Sequence, residues 1–147
     1  MSGFPKIRPM QEQDLPRVVE LSHQLGYLES TLDSVSTNFH LGRTLESHEY
    51  YVLVEDNYVA AWMNLLLRVR LEAPPFLQVA ALVVCSKFRS QGLGRMLLAF
   101  AEERARAHGL HSVGMLSSAP RLGAHQFYLR AGYEKAKENY FFQKELT

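Results

Sequence analysis

Hydrophobic residues recur along this chain with two periods, about two residues and about 3.6, and the switches between them mark out its elements. "KIRPM" near the start reads as a short strand. Asp14 then offers a helix N-cap, with Pro16 in the first turn where its missing N–H costs little. Leu15, Val18, Val19, Ser22 and Leu25 keep helical spacing, and Gly26 is placed to end that helix. Thr31 to Leu45 predict a second helix with a less regular stripe. Two runs rich in β-branched and aromatic residues follow, "YYVLVED" and "YVAAWMNLLLRVR", with a turn at "EDN" and a stop at Pro74-Pro75. "FLQVAALVVC" is apolar at successive positions, which predicts a central strand buried on both faces.

In the second half, Leu93, Met96, Leu97, Phe100 and Ala101 form a helical stripe that Gly109 stops. "SVGMLSS" reads as a further strand. Arg121 to Ala131 predict a helix with Ala124, Phe127, Tyr128 and Ala131 on one face and Gly132 as its break. "YEKAKE" and "NYFFQKEL" read as a closing hairpin of strands. This order of elements predicts an α/β class, a mixed sheet with helices on both faces.

Composition narrows the picture. A chain of 147 residues, 47% of them hydrophobic, suits a single domain over residues 1–147 with one core. A net charge of +1 gives no basic surface for nucleic acid or anionic membranes. The longest apolar run, Val79 to Cys85, is far too short to span a bilayer. The opening "MSGFPKIRPMQEQD" lacks the apolar segment of a secretory signal, and the lone Cys85 has no partner for an internal disulfide. Both favour a cytoplasmic setting. The six histidines show no metal-ligand spacing, so no metal is expected.

The chemistry centres on "FRSQGLGRML", a glycine loop between an apolar strand and a helix. Such a helix start, with free N–H groups and a positive dipole end, favours phosphate. A P-loop needs Gly-Lys-Ser/Thr, and here Gly94 is followed by Arg95 and Met96. A dinucleotide fingerprint needs a third glycine where Leu97 stands. What remains is Arg89-x-x-Gly92-x-Gly94, or a plain strand-to-helix turn with incidental glycines.

That loop, with "IRPMQEQDLPRVVEL" before it and "AHQFYLRAGY" after it, resembles the GNAT superfamily of acyl-CoA-dependent N-acyltransferases. The resemblance covers nearly the whole chain, and the motif A-x-x-F/L-Y-x-x-x-G-F/Y gives it specificity. It implies acetyl-CoA as acyl donor, its diphosphate held by Arg89, Ser90, Gln91, Gly92, Leu93, Gly94 and Arg95. The pantetheine arm would run beside Leu82, Val83 and Val84, with the Val84 N–H facing the oxyanion. Tyr128 matches the family tyrosine that protonates the leaving thiolate. By periodicity alone it reads as a core aromatic. Many relatives carry an acid two residues before the leucine of this strand, and Ala80 stands there. A base would then come from Glu72, Glu20, Glu29 or His23, or through water. His125 reads as a helix-surface residue, and Arg121 stands where many relatives have Asn. Cys85 reads as buried and inert rather than as an acyl carrier. The implied acceptor is a small-molecule amine or a peptide, bound near Gln24 to His40 and Arg70 to Phe76, with Tyr27, Phe39, Trp62 and Phe76 as aromatic lining. A homodimer is implied as well. The alternatives are a non-catalytic acyl-CoA-binding module, which the absent acid supports, and a nucleotide switch, which lacks its lysine and serine.

Overall fold

The computed structural model describes residues 6–89, 91–116, 122–137 and 139–147. It divides into two compact units, Met1–Leu116 and Ser117–Thr147. In the first, a sheet has the strand order β1 (Ile7–Pro9), β2 (His48–Glu55), β3 (Tyr58–Arg68), β4 (Phe76–Val84), β5 (Val113–Met115). The first three pairings are antiparallel and β4–β5 is parallel, so the sheet is mixed as predicted. The β2–β3 turn is made by Asp56 and Asn57 at φ +50° and +64°, the twist that a two-residue hairpin requires.

Helices α1 (Leu15–Gln24) and α2 (Leu32–Arg43) cover one sheet face, where Leu15, Val18 and Phe39 pack with Met10 and Val52. Helix α3 (Leu93–Ala107) covers the other, with the Phe100 ring 4.7 Å from that of Tyr51. Its buried stripe is Leu93, Leu97, Leu98, Ala101 and Ala105. Leu98 and Ala105 therefore take places that the sequence assigned to Met96 and Phe100, which stay half-buried. Helix α2 starts at a reciprocal cap: Ser34 N–H donates to Thr31 Oγ1 and Thr31 N–H to Ser34 Oγ, both at 3.0 Å. Asp14 does not cap α1. Pro16 stands where that cap would find an N–H, so the carboxylate instead takes both nitrogens of the Arg8 fork, at 2.8 and 2.9 Å, and the Gln11 N–H.

The apolar run of β4 has an unexpected basis. Val79 pairs with Leu65 and Ala81 with Asn64, which leaves Ala80 as an extra residue, a β-bulge. Register places Leu77 and Val79 on the α3 face, whereas Val83 beyond the bulge packs with Leu21 of α1. The strand changes its buried face midway, and Ala80 is exposed.

In the second unit α4 spans Leu122–Arg130. It ends where Tyr133 N–H reaches the Tyr128 carbonyl and Gly132 N–H the Leu129 carbonyl, the paired bonds of a glycine helix stop. The closing hairpin is a correction: the described residues beyond Gly132 carry no strand, and Tyr140, Phe141, Phe142 and Leu146 are 84–89% exposed. Strand-forming composition makes a strand only where a ladder partner exists, and these residues have none in their own unit. Arg121, Ser117 and Ser118, assigned above to helix and strand, lie outside the described residues.

Candidate active site

Beyond β4 the chain makes a short turn at Ser86–Phe88 and enters α3 through Gly92. Gly92 has φ +81°, in the left-handed region, and no atom lies within 4 Å of where a Cβ would stand. The glycine is needed for its backbone shape, and the space beside it is open. Met96 N–H makes the first helical bond, to the Gly92 carbonyl, so the N–H groups of Leu93, Gly94 and Arg95 have no helical acceptor. Among the described residues no side chain caps them, and the first turn carries no acidic residue. Gln91, Arg89 and Arg95 are exposed here, and Arg89 Nε reaches the Val84 carbonyl at 3.4 Å. Leu93 contributes only its backbone, since its side chain is in the core. Ser90 lies outside the described residues.

The neighbouring strands leave a slot. Among the described residues, β5 pairs with β4 only from Leu77 to Val79. From Ala81 to Val84, β4 pairs with β3 alone among the described residues. Cys85 N–H donates to the Ala60 carbonyl at 2.8 Å. Peptide groups alternate sides along a strand, so the Val84 and Leu82 N–H groups turn away from β3 into that slot. Val83 turns its peptide groups toward β3. The backbone groups of Leu82 and Val84 that face away from β3 thus form a row of donors and acceptors leading to the start of α3.

Tyr128 lies on α4, half-buried, its ring 5.4 Å from that of Phe127. Of the four base candidates, Glu20 is paired with Arg17 at 2.8 Å and His23 Nε2 is tied to the Ser30 carbonyl at 2.7 Å. Glu72 and Glu29 are exposed. Cys85 is buried against Leu21 and Val83. Burial pushes its thiol up, but the Lys87 N–H, the Gln24 amide and the Arg17 charge outweigh it and hold the thiol below its usual value. Among the described residues no three His, Cys, Asp or Glu side chains are grouped to hold a metal, and no helix is long and apolar enough to cross a membrane. Of the expected aromatic lining, Phe39 is in the core, Tyr27 is 56% exposed, and Trp62 and Phe76 are half-buried. Asn64, a lone amide inside the apolar run "AAWMNLLL", has its side-chain carbonyl buried without a hydrogen-bond partner among the described residues.

The Acetyltransferase (GNAT) family matches residues 13–133. The chain belongs to the GNAT acetyltransferase family. Within it, the chain is 36% identical over 100 residues to an uncharacterized N-acetyltransferase of Bacillus subtilis, covering 67% of this chain and 69% of that one. An aminoalkylphosphonate N-acetyltransferase of Salmonella typhimurium is 41% identical over 59 residues, which are 40% of this chain and 38% of that one. The fold matches an aminoglycoside 6'-N-acetyltransferase from Acinetobacter haemolyticus with a TM-score of 0.82 at 18% identity, over 96% of this chain and 99% of that one. As a GNAT member the protein is an acyltransferase, and its glycine loop and strand slot fall inside the matched residues.

Proposed function

We propose that this GNAT enzyme transfers an acetyl group from acetyl-CoA directly to the primary amine of a small molecule or peptide. The observation that carries this reading is the slot beside Leu82 and Val84 leading to the uncapped start of α3 at Gly92. The N–H groups of Leu93, Gly94 and Arg95 suit diphosphate oxygens, and Arg89 and Arg95 add charge. Ser90 and Gln91 complete the proposed loop. The Leu82 and Val84 peptides suit the amides of a pantetheine arm, and the Val84 N–H suits the oxyanion as the amine attacks the thioester carbon. The carbon–nitrogen bond forms, the carbon–sulfur bond breaks, and Tyr128 gives the departing sulfur its proton. What supports Tyr128 is its place in "AHQFYLRAGY". With Ala80 at the bulge, no side chain of β4 takes the amine proton, and water carries it out.

The exposed Ala80 favours a second reading, a non-catalytic acyl-CoA-binding module. One experiment separates the two: incubation with acetyl-CoA and a panel of amines, following free thiol. Transfer predicts thiol release that depends on the amine. Tight binding of acetyl-CoA without release for any amine would establish the module instead. The names of the relatives put aminoalkylphosphonates and aminoglycosides on that panel.

The family match crosses both compact units, which supports one domain over residues 1–147. The exposed Tyr140, Phe141 and Phe142 support a homodimer. The unpaired Cys85 supports a reducing, cytoplasmic setting.

A further inference from the structure

Helix α1 lies against the stretch of chain that leads from β4 toward α3. Arg17, Leu21 and Gln24 stand at i, i+4 and i+7, one stripe of that helix, and all three meet this stretch. Leu21 packs with Val83 and Cys85, and Phe88, one residue before Arg89, packs against that cluster together with Leu25. Arg17 Nε donates to the Val59 carbonyl at 3.1 Å, and its guanidinium reaches the Cys85 sulfur at 3.5 Å. Gln24 Oε1 accepts the Ser86 N–H at 2.8 Å, a bond between residues 62 apart in the chain. The amide nitrogen of the same side chain lies 3.8 Å from the Cys85 sulfur.

These contacts close the donors of the turn. The Ser86 N–H goes to Gln24, the Lys87 N–H to the Cys85 sulfur and the Phe88 N–H to the Cys85 carbonyl at 2.9 Å. Further on, the N–H groups of Leu93, Gly94 and Arg95 have no helical acceptor. Backbone donors are thus satisfied where the chain leaves β4 and open where it enters α3. Of the three closures, two are made by Cys85 at the head of the turn. Only the Ser86 bond ties the turn's backbone to another element.

We propose that Gln24 is a positioning residue for the acyl donor: by holding the Ser86 N–H it fixes the turn from which the open N–H groups of α3 are aimed at the diphosphate; this rests on the acetyl-transfer reading above. Gln24 acts through the turn and not on a reacting atom. The sequence placed it at the edge of the acceptor segment, and its side chain serves the donor loop instead. Gln24 is exposed, so water can take the freed N–H, and losing the bond costs little stability. What the bond supplies is direction. With the turn set beforehand, donor binding does not have to order it.

The test is calorimetric titration of acetyl-CoA into the full chain and into Gln24→Met and Gln24→Glu, with amide hydrogen exchange followed over residues 86–95. Methionine keeps the length of the side chain and removes both polar atoms, whereas glutamate keeps an acceptor for the Ser86 N–H. Gln24→Met should weaken acetyl-CoA about fivefold and speed exchange in the turn, while its thermal melt stays close to that of the unmodified protein. In high salt, where the added charge is screened, Gln24→Glu should bind within about twofold of the unmodified protein in the same buffer. Unchanged affinity in Gln24→Met, unchanged exchange over residues 86–95, or equal losses in the two variants overturns the proposal while donor binding stands. Loss of cooperative melting in Gln24→Met also overturns it, because the side chain would then hold the fold rather than the loop. Failure of acetyl-CoA to bind the unmodified protein overturns the acetyl-transfer reading itself.

Discussion

At Gly92 the backbone adopts a left-handed conformation with open space beside it, so an added methyl meets no atom and only the conformation resists it. Gly92→Ala is expected to lower folding stability by about 1–2 kcal/mol in a denaturant titration. A β-branched valine adds bulk where the diphosphate would sit, so Gly92→Val should also lose acetyl-CoA. Tyr128→Phe keeps the ring beside Phe127 and removes the hydroxyl. Turnover should fall about 100-fold, the lower end for a missing general acid because a thiolate leaves fairly well unaided. Turnover above half of the unmodified rate, with chemistry limiting, would make Tyr128 a core aromatic. These two residues were legible for different reasons. Gly92 stood out because a glycine before an apolar helical stripe demands explanation, whereas Tyr128 stood out only through its motif. The burial of the Asn64 carbonyl without a partner among the described residues was not legible, because one amide in an apolar run looks like a tolerated exception.

Among the elements, β4 shows what periodicity conceals. A run apolar at every position reads as a strand buried on both faces at once. Here it arises because the bulge at Ala80 turns the buried side from α3 to α1. The position where the resemblance implies an acid, Ala80, is the bulge residue itself. The helix ends were legible because Gly26 and Gly109 punctuate the pattern, and hydrogen bonds at both confirm the stops. Invisible in the sequence was the fastening of the far end of α3. Arg104 forks onto Glu49 at 2.9 and 3.0 Å, and Tyr51 and His108 also contact that carboxylate. Burial pushes the Glu49 carboxyl up, but hydrogen bonds from Arg104, Tyr51 and His108 outweigh it and bring it from 4.5 to about 2. A carboxyl with a depressed folded value stabilises fully above its unfolded value, and that stability is lost as pH falls. Stability should therefore decline between about pH 4.5 and pH 2. Glu49→Gln should flatten that decline and cost about 1–3 kcal/mol at neutral pH, after allowance for solvent screening. Thermal melts across this pH window check both.

For the whole molecule, the mixed sheet with helices on both faces was legible, because helix-period and strand-period segments follow one another from Ile7 to Met115 with glycine and proline stops between several of them. The C-terminal hairpin was not, because whether "NYFFQKEL" pairs depends on a partner strand that composition cannot supply. Its aromatics carry the dimer prediction: light scattering at micromolar concentration should give twice the 16.8 kDa chain mass, and the monomer mass would contradict it. The central claim is that the protein takes acetyl-CoA at the glycine loop. Calorimetric titration of acetyl-CoA into the protein and its Gly92→Val variant tests it most directly. The account predicts one site per chain, weakened at least about tenfold, or 1.4 kcal/mol, in a variant that still melts cooperatively. Equal affinity in the folded variant, or no binding to the unmodified protein, would contradict it.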